Sequence, residues 1–209
     1  MNNPQESVDH LKSNDYRTIE QTMEKLSGGT RRLAAQLTTS ASFESLWNVL
    51  TDYDRLNLYI PNLLSSKKIY QKHNNVRLKQ IGAQDFLGMK FSAEVTIDLF
   101  EDKKLGLLKF NLIKGDFRKF EGSLKIQKIK DTSKNSLLYD LTVQGCQWMP
   151  IGMIEKRLKK DLSENLIAVD KQAKIYNYPS EDFACLSTAI KFSERSFFNL
   201  FSIIPIGIH

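Results

Sequence analysis

Side chains suited to acid–base, nucleophilic or metal chemistry are sparse in this 209-residue chain, and they stand apart. His10, His73 and His209 fall in the N-terminal segment, at a predicted turn and at the last position. None has a His, Cys or carboxylate at ligand spacing, so each reads as a surface histidine. Cys146 and Cys185 are too few and too far apart for a disulfide framework or a metal knuckle. They read as free thiols of a reducing compartment. No Gly-x-Ser-x-Gly elbow, Gly-x-Gly-x-x-Gly turn or Walker loop occurs, and Gly28-Gly29 alone is a linker signal. No metal and no cofactor are therefore expected, and the catalytic residues, if any, stay unknown.

The bulk properties are those of one ordinary globular domain with extensions. Hydrophobic residues make up 41% and charged residues 26%, as in an ordinary soluble globular protein. No apolar run approaches the roughly 20 residues needed to span a bilayer. The N-terminus is neither a secretory signal nor an Arg-rich transit peptide, so a cytoplasmic location is expected, with peripheral membrane contact open. The net charge of +6 is spread among interleaved acids and bases. Lys67, Lys68, Lys103, Lys104, Lys156, Arg157, Lys159 and Lys160 could dock an anionic surface. Without exposed aromatics between them, nucleic acid is not an expected partner. The oligomeric state is not readable.

The elements that must build any site follow from periodicity. Residues 1–30 carry few apolar groups and read as a polar arm, with a short helix around Ile19–Leu26. Leu33, Ala35 and Leu37 alternate with polar residues and mark a first strand ending near Thr39. Phe43, Leu46, Trp47 and Leu50 then fall at i, i+3, i+4, i+7, one buried helical face, with Ser40 or Ser42 as the N-cap. A second short helix runs from Arg55 to about Ile60, stopped by Pro61. From Leu63 to Gly145 the period is two, clearest at Met89, Phe91, Ala93, Val95, Ile97 and Leu99. Breakers at residues 73–75, 87–88, 102–104, 114–116 and 131–133 are spaced for hairpins, which predicts an antiparallel meander of about six strands. After Pro150, the stripe Ile151, Ile154, Leu158, Leu162, Leu166, Val169, Ala173 predicts a helix roughly 35 Å long. Glu155, Lys156, Lys159, Lys160, Asp161 and Glu164 read as its other, wet side.

The fold class is thus α+β: a curved antiparallel sheet of about six or seven strands around a long C-terminal helix, with two short helices after the first strand. Residues 31–175 form the domain, and residues 176–209 an extension whose apolar tail runs from Phe197 to Ile208. A pocket between helix and sheet is one expectation. Its alternative is that Phe91, Phe110, Tyr139 and Trp148 fill that space as core.

The segments RRLAAQLTTSASFESLWNVLTDYDRLNLYIPNL, FRKFEGSLKI and MPIGMIEKRLKKDLSENLIAV resemble the START-like superfamily. The similarity is to its polyketide cyclase/dehydrase and coenzyme Q-binding branch, in the versions found in cyanobacteria and chloroplasts. It covers about Arg31 to Lys174. The resemblance implies a helix-grip fold holding a hydrophobic small molecule such as a quinone, lipid, isoprenoid or polyketide.

Candidate lining residues are Trp47 and Tyr59 from the short helices, and Phe91, Val95, Phe110, Leu112 and Tyr139 from the strands. Trp148, Ile154 and Leu158 complete the set near the terminal helix. Gates are expected at Asp85–Met89, at Leu56–Pro61 and at the first turn of that helix. Relatives that act as aromatase/cyclases use cavity Arg and Tyr side chains. By that resemblance, and by their strand or helix location, Arg77 and Arg118 are the polar cavity candidates, beside Tyr139 and Tyr59; the alternative for each is an exposed charge or a packed ring. Asp116-Phe117-Arg118 is alternatively placed at the cavity mouth. Three functions are carried forward: an apolar-ligand binder or carrier, a cyclase or dehydratase, and a ribosome-associated interaction protein.

Overall fold

The computed structural model describes residues 19–86, 89–146 and 151–176. Eight antiparallel strands form one sheet: β1 (Ile19–Lys25), β2 (Thr30–Thr39), β3 (Leu63–Lys72), β4 (Asn75–Phe86), β5 (Met89–Asp102), β6 (Leu107–Gly115), β7 (Phe117–Lys128) and β8 (Asn135–Gly145). The spatial order is β1-β2-β8-β7-β6-β5-β4-β3. β3 to β8 are the six-stranded meander expected from the breakers, and β2 closes onto β8. Helix α1 (Phe43–Thr51) and a 3-10 turn (Tyr53–Leu58) bridge β2 and β3, and helix α2 (Ile151–Tyr176) ends the described chain. The helix-grip arrangement and the α+β class follow, with one strand more than expected.

That extra strand corrects the reading of residues 19–26 as a short helix. Ile19 pairs with Leu37 and Lys25 with Arg31, so β1 continues the sheet as an edge strand. Ile19 and Met23 sit four apart, which imitates a helical face. Both pack against the core from the strand instead. The expected second helix, Arg55 to Ile60, is the tighter 3-10 turn Tyr53–Leu58.

Local chemistry explains the other elements. Ser42 caps α1, its side chain accepting from Ser45 N at 3.1 Å. Parity decides each strand's inner face: Leu33, Ala35 and Leu37 of β2 lie opposite Leu141, Tyr139 and Leu137 of β8. Val76 and Leu78 of β4 and Val95, Ile97 and Leu99 of β5 extend that buried surface. Leu162, Leu166, Val169 and Ala173 of α2 press onto it. At the centre of the floor, Gly122 lies opposite Phe110. A Cβ there would lie 2.8 Å from Phe110 Cζ and collide with the Asp140 carbonyl oxygen. The missing side chain leaves room for the tip of the Phe110 ring over β7.

Candidate ligand cavity

Helix and sheet do not meet everywhere. Between them lies a cavity of about 450 Å³, within the range of small-molecule sites. Its apolar floor comes from Val95, Ile97, Leu99, Leu108, Phe110 and Leu141. Leu158, Leu162, Leu166 and Val169 of α2 form the roof. Four aromatic rings run in sequence along the floor. Tyr139 meets Phe110 edge-on at 6.2 Å between centroids, Phe110 meets Phe120 at 5.5 Å, and Phe120 meets Phe117 at 5.5 Å.

Arg157, Asp161 and Asn165 also line the cavity, on the same helix. They fall at i, i+4 and i+8 and make a polar stripe beside the apolar one. Arg157 Nε lies 3.1 Å from Asp161 Oδ1. Asn62 Nδ2 donates to the same carboxylate at 3.3 Å. Asn62 adopts φ 62, a left-handed conformation that Asn tolerates better than most residues, at the turn into β3. Asn165 Oδ1 is buried and has no hydrogen-bond partner among the described residues. A buried acceptor left unmade is costly unless something else reaches it. Burial, with the Asp161 charge adding, pushes the Tyr139 phenol up to about 12. It is therefore a hydrogen-bond donor at neutral pH. At the far end, Tyr53 Oη donates to Glu101 Oε1 at 2.6 Å, and burial followed by that bond raises its pKa strongly.

Of the residues singled out from sequence, Val95, Phe110, Tyr139 and Leu158 line this cavity. Trp47 does not: it is buried in the core, stacked on Phe43 at 6.1 Å. Tyr59 packs against the core with its hydroxyl donating to the Val49 carbonyl at 2.6 Å. Leu112 leans on the core and borders a second depression between β6 and β7. Trp148 and the side chains of Phe91 and Ile154 lie outside the described residues.

The placement of the two arginines in the cavity is corrected. Arg77 sits between the inward Val76 and Leu78, so parity turns it outward, where it grips Asp98 at 2.6 and 2.8 Å. That pair raises the arginine pKa and lowers the aspartate's. Arg118 is exposed beside the second depression. Asp161 is the opposite case, read as wet yet found on the cavity wall. Its signal was present: Arg157, Asp161 and Asn165 share one helical face next to the leucine stripe.

The expected gates divide as well. Leu56, Ile60 and Pro61 line the cavity together with Gly82, Ala83 and Ala93. Leu87, Gly88 and the side chains of Asp85–Met89 and of the first turn of α2 lie outside the described residues. No helix among the described residues is long and apolar enough to cross a membrane.

A sheet gripping one long helix over an apolar chamber with a polar stripe defines a START-like protein of the helix-grip class. The chain belongs to the polyketide cyclase/dehydrase and lipid transport family, whose model matches residues 39–170. Its fold is similar to a STAR-related lipid transfer protein from Xanthomonas axonopodis, with TM-score 0.66, 10% identity, and 78% of this chain and 97% of that one covered. It is also similar to the Zhui aromatase/cyclase from a Streptomyces species, with TM-score 0.60, 14% identity and coverage of 69% and 94%. A Thermus thermophilus protein, TTHA0849, gives 0.59, 16%, 70% and 99%. At these identities the likeness is one of fold. No curated protein matches the sequence.

Proposed function

We propose that the protein binds and carries an apolar small molecule bearing at least one hydrogen-bonding group. The observation that carries this reading is the chamber of about 450 Å³ between sheet and helix, walled by leucine and phenylalanine side chains and edged by the polar stripe of Arg157, Asp161 and Asn165. A quinone-, isoprenoid- or lipid-like body would fill the leucine and phenylalanine walls. A polar group on it would lie against the stripe of Arg157, Asp161 and Asn165. The family description, which includes lipid transport, supports the same class of cargo. Brief contact with a membrane surface belongs to this reading. Leu58 and Leu64 are exposed at either side of the cavity-lining segment Pro61–Leu63, in the same stretch as Lys67 and Lys68.

Native mass spectrometry of protein purified from its own source is the test. A bound apolar molecule, released on denaturation, is the expected result. A clean unliganded mass, together with no uptake of quinones or lipids in titration, would refute the proposal.

A second reading, cyclisation or dehydration of a poly-β-keto chain, draws on a different observation. Tyr139 stays protonated on the cavity floor, and Asp161 on the wall could accept a proton. Turnover of such a substrate, abolished by Tyr139→Phe with the fold intact, would establish it. Turnover that survives Tyr139→Phe would remove that assignment.

A further inference from the structure

β6 and β7 are paired along part of their length only. Their ladder runs from Leu107–Lys125 to Asn111–Glu121 and stops, although both strands continue to the hairpin. The cause lies in the outer neighbours. β6 shifts register against β5 between Thr96 and Ile97, and β7 shifts against β8 between Phe117 and Lys119. Two irregularities at one level bend the strands apart, as bulges do. Between them lies a slot of about 570 Å³ bordered by Asn111–Gly115 and Phe117–Glu121.

The splay is held open by contacts at the tip. Asp116 Oδ2 accepts from Glu94 N at 2.7 Å, and Asp116 N donates to Glu94 O at 2.9 Å. The Cys146 thiol donates to the Asp116 carbonyl at 2.8 Å. Gly115, at φ 151, presses against the Glu94 carbonyl where a side chain would not fit. Each contact ties the hairpin tip to β5 or to the chain beyond β8, and none closes β6 onto β7.

Three features give this slot a chemistry. Phe117 and Phe120 border both the slot and the main cavity, so the two spaces share an aromatic wall. Lys114 and Arg118 border the slot and form no ion pair among the described residues. The neighbouring charges are already engaged, Lys119 with Glu121 at 2.9 Å and Asp116 with the β5 backbone. Two unneutralised cations beside backbone groups that lack a cross-strand partner suit an anion.

We propose that the β6–β7 slot is a side portal that seats the carboxylate or phosphate headgroup of an amphiphile through Lys114 and Arg118, while its tail passes Phe117 and Phe120 into the cavity. This rests on the carrier reading and narrows it to anionic amphiphiles. It also accounts for Arg118, which the main cavity does not use.

Palmitate, hexadecanol and inorganic phosphate, titrated separately into the full chain, separate the contributions. Wild type should bind palmitate about tenfold tighter than hexadecanol, because the chain is the same and only the headgroup charge differs. Arg118→Ala combined with Lys114→Ala should bring palmitate down to the hexadecanol value and leave hexadecanol unchanged. Lys109→Ala, on the exposed face of β6, should alter neither. Equal binding of palmitate and hexadecanol by wild type would overturn the portal and leave the carrier reading standing. So would phosphate binding with no effect of headgroup charge on the long-chain ligands. Failure of both long-chain ligands to bind would overturn both.

Discussion

Ala93→Trp is expected to abolish ligand uptake while leaving the protein folded. Ala93 lies on the inner face of β5, on the same parity as Val95 and Ile97, and lines the cavity. Its partner across the ladder is Gly82, another wall residue without bulk. An indole at this position has nowhere to go but into the chamber, where it would take a large share of the roughly 450 Å³. Overpacking usually costs about 1–3 kcal/mol because a dense core must move to receive new atoms. Here the atoms enter empty space and bury apolar area, so the melting temperature should hold or rise slightly. Bound ligand by native mass spectrometry should fall at least about tenfold, equivalent to about 1.4 kcal/mol of binding. Wild-type ligand occupancy in a folded Ala93→Trp protein would show that the chamber is not where the ligand sits.

The largest stability loss is expected at Asp170. This carboxylate is 1% exposed in the second half of α2. Thr39 Oγ1 donates to it from the last residue of β2, and Thr39 Oγ1 in turn accepts from Ala41 N at 2.9 Å. Lys174 Nζ approaches the other carboxylate oxygen to 3.1 Å. One side chain thus ties the end of a strand, the approach to α1 and the last turns of the gripped helix. Asp170→Ala strands the buried Thr39 hydroxyl and leaves the partly exposed Lys174 ammonium without its carboxylate, which should cost about 2–4 kcal/mol. For a domain of this size the melting temperature should fall by roughly 10 °C. Asp170→Asn keeps an acceptor for Thr39 and should cost less. Thr39→Val and Asp170→Ala should be markedly non-additive in the double variant, because they cut the same link. A loss under about 0.5 kcal/mol for Asp170→Ala, the scale of an ordinary surface change, would show that the junction carries no such weight.

Both sites show how far sequence reasoning reaches. The parity that puts Ala93 inside is visible in the alternation of β5, and the same parity turns Arg77 outward between Val76 and Leu78. Placing Arg77 in the cavity follows from family resemblance and overlooks that local rule. Asp170 sits next to the apolar Val169 of the α2 stripe, yet its buried state depends on Thr39, far away in the chain. Nothing local to either residue reveals the other.

The amino-acid sequence alone determined most element types from β2 onward, their antiparallel succession and the inward face of most strands, because these rest on periodicities of two and 3.6 residues and on local breakers. The tertiary structure alone decided three things. β1 is a strand because the free edge of β2 offered unpaired backbone groups to residues whose spacing suited a helix equally well. Phe117 and Phe120 share the cavity floor because a register shift near Arg118 inverts a parity that would otherwise separate them. Asp161 and Asn165 face the chamber because the curved sheet is too wide for the apolar stripe of α2 to fill, so the flanking polar stripe forms wall as well. In each case the outcome depends on a partner strand or on the width of the sheet, quantities that no stretch of local sequence encodes.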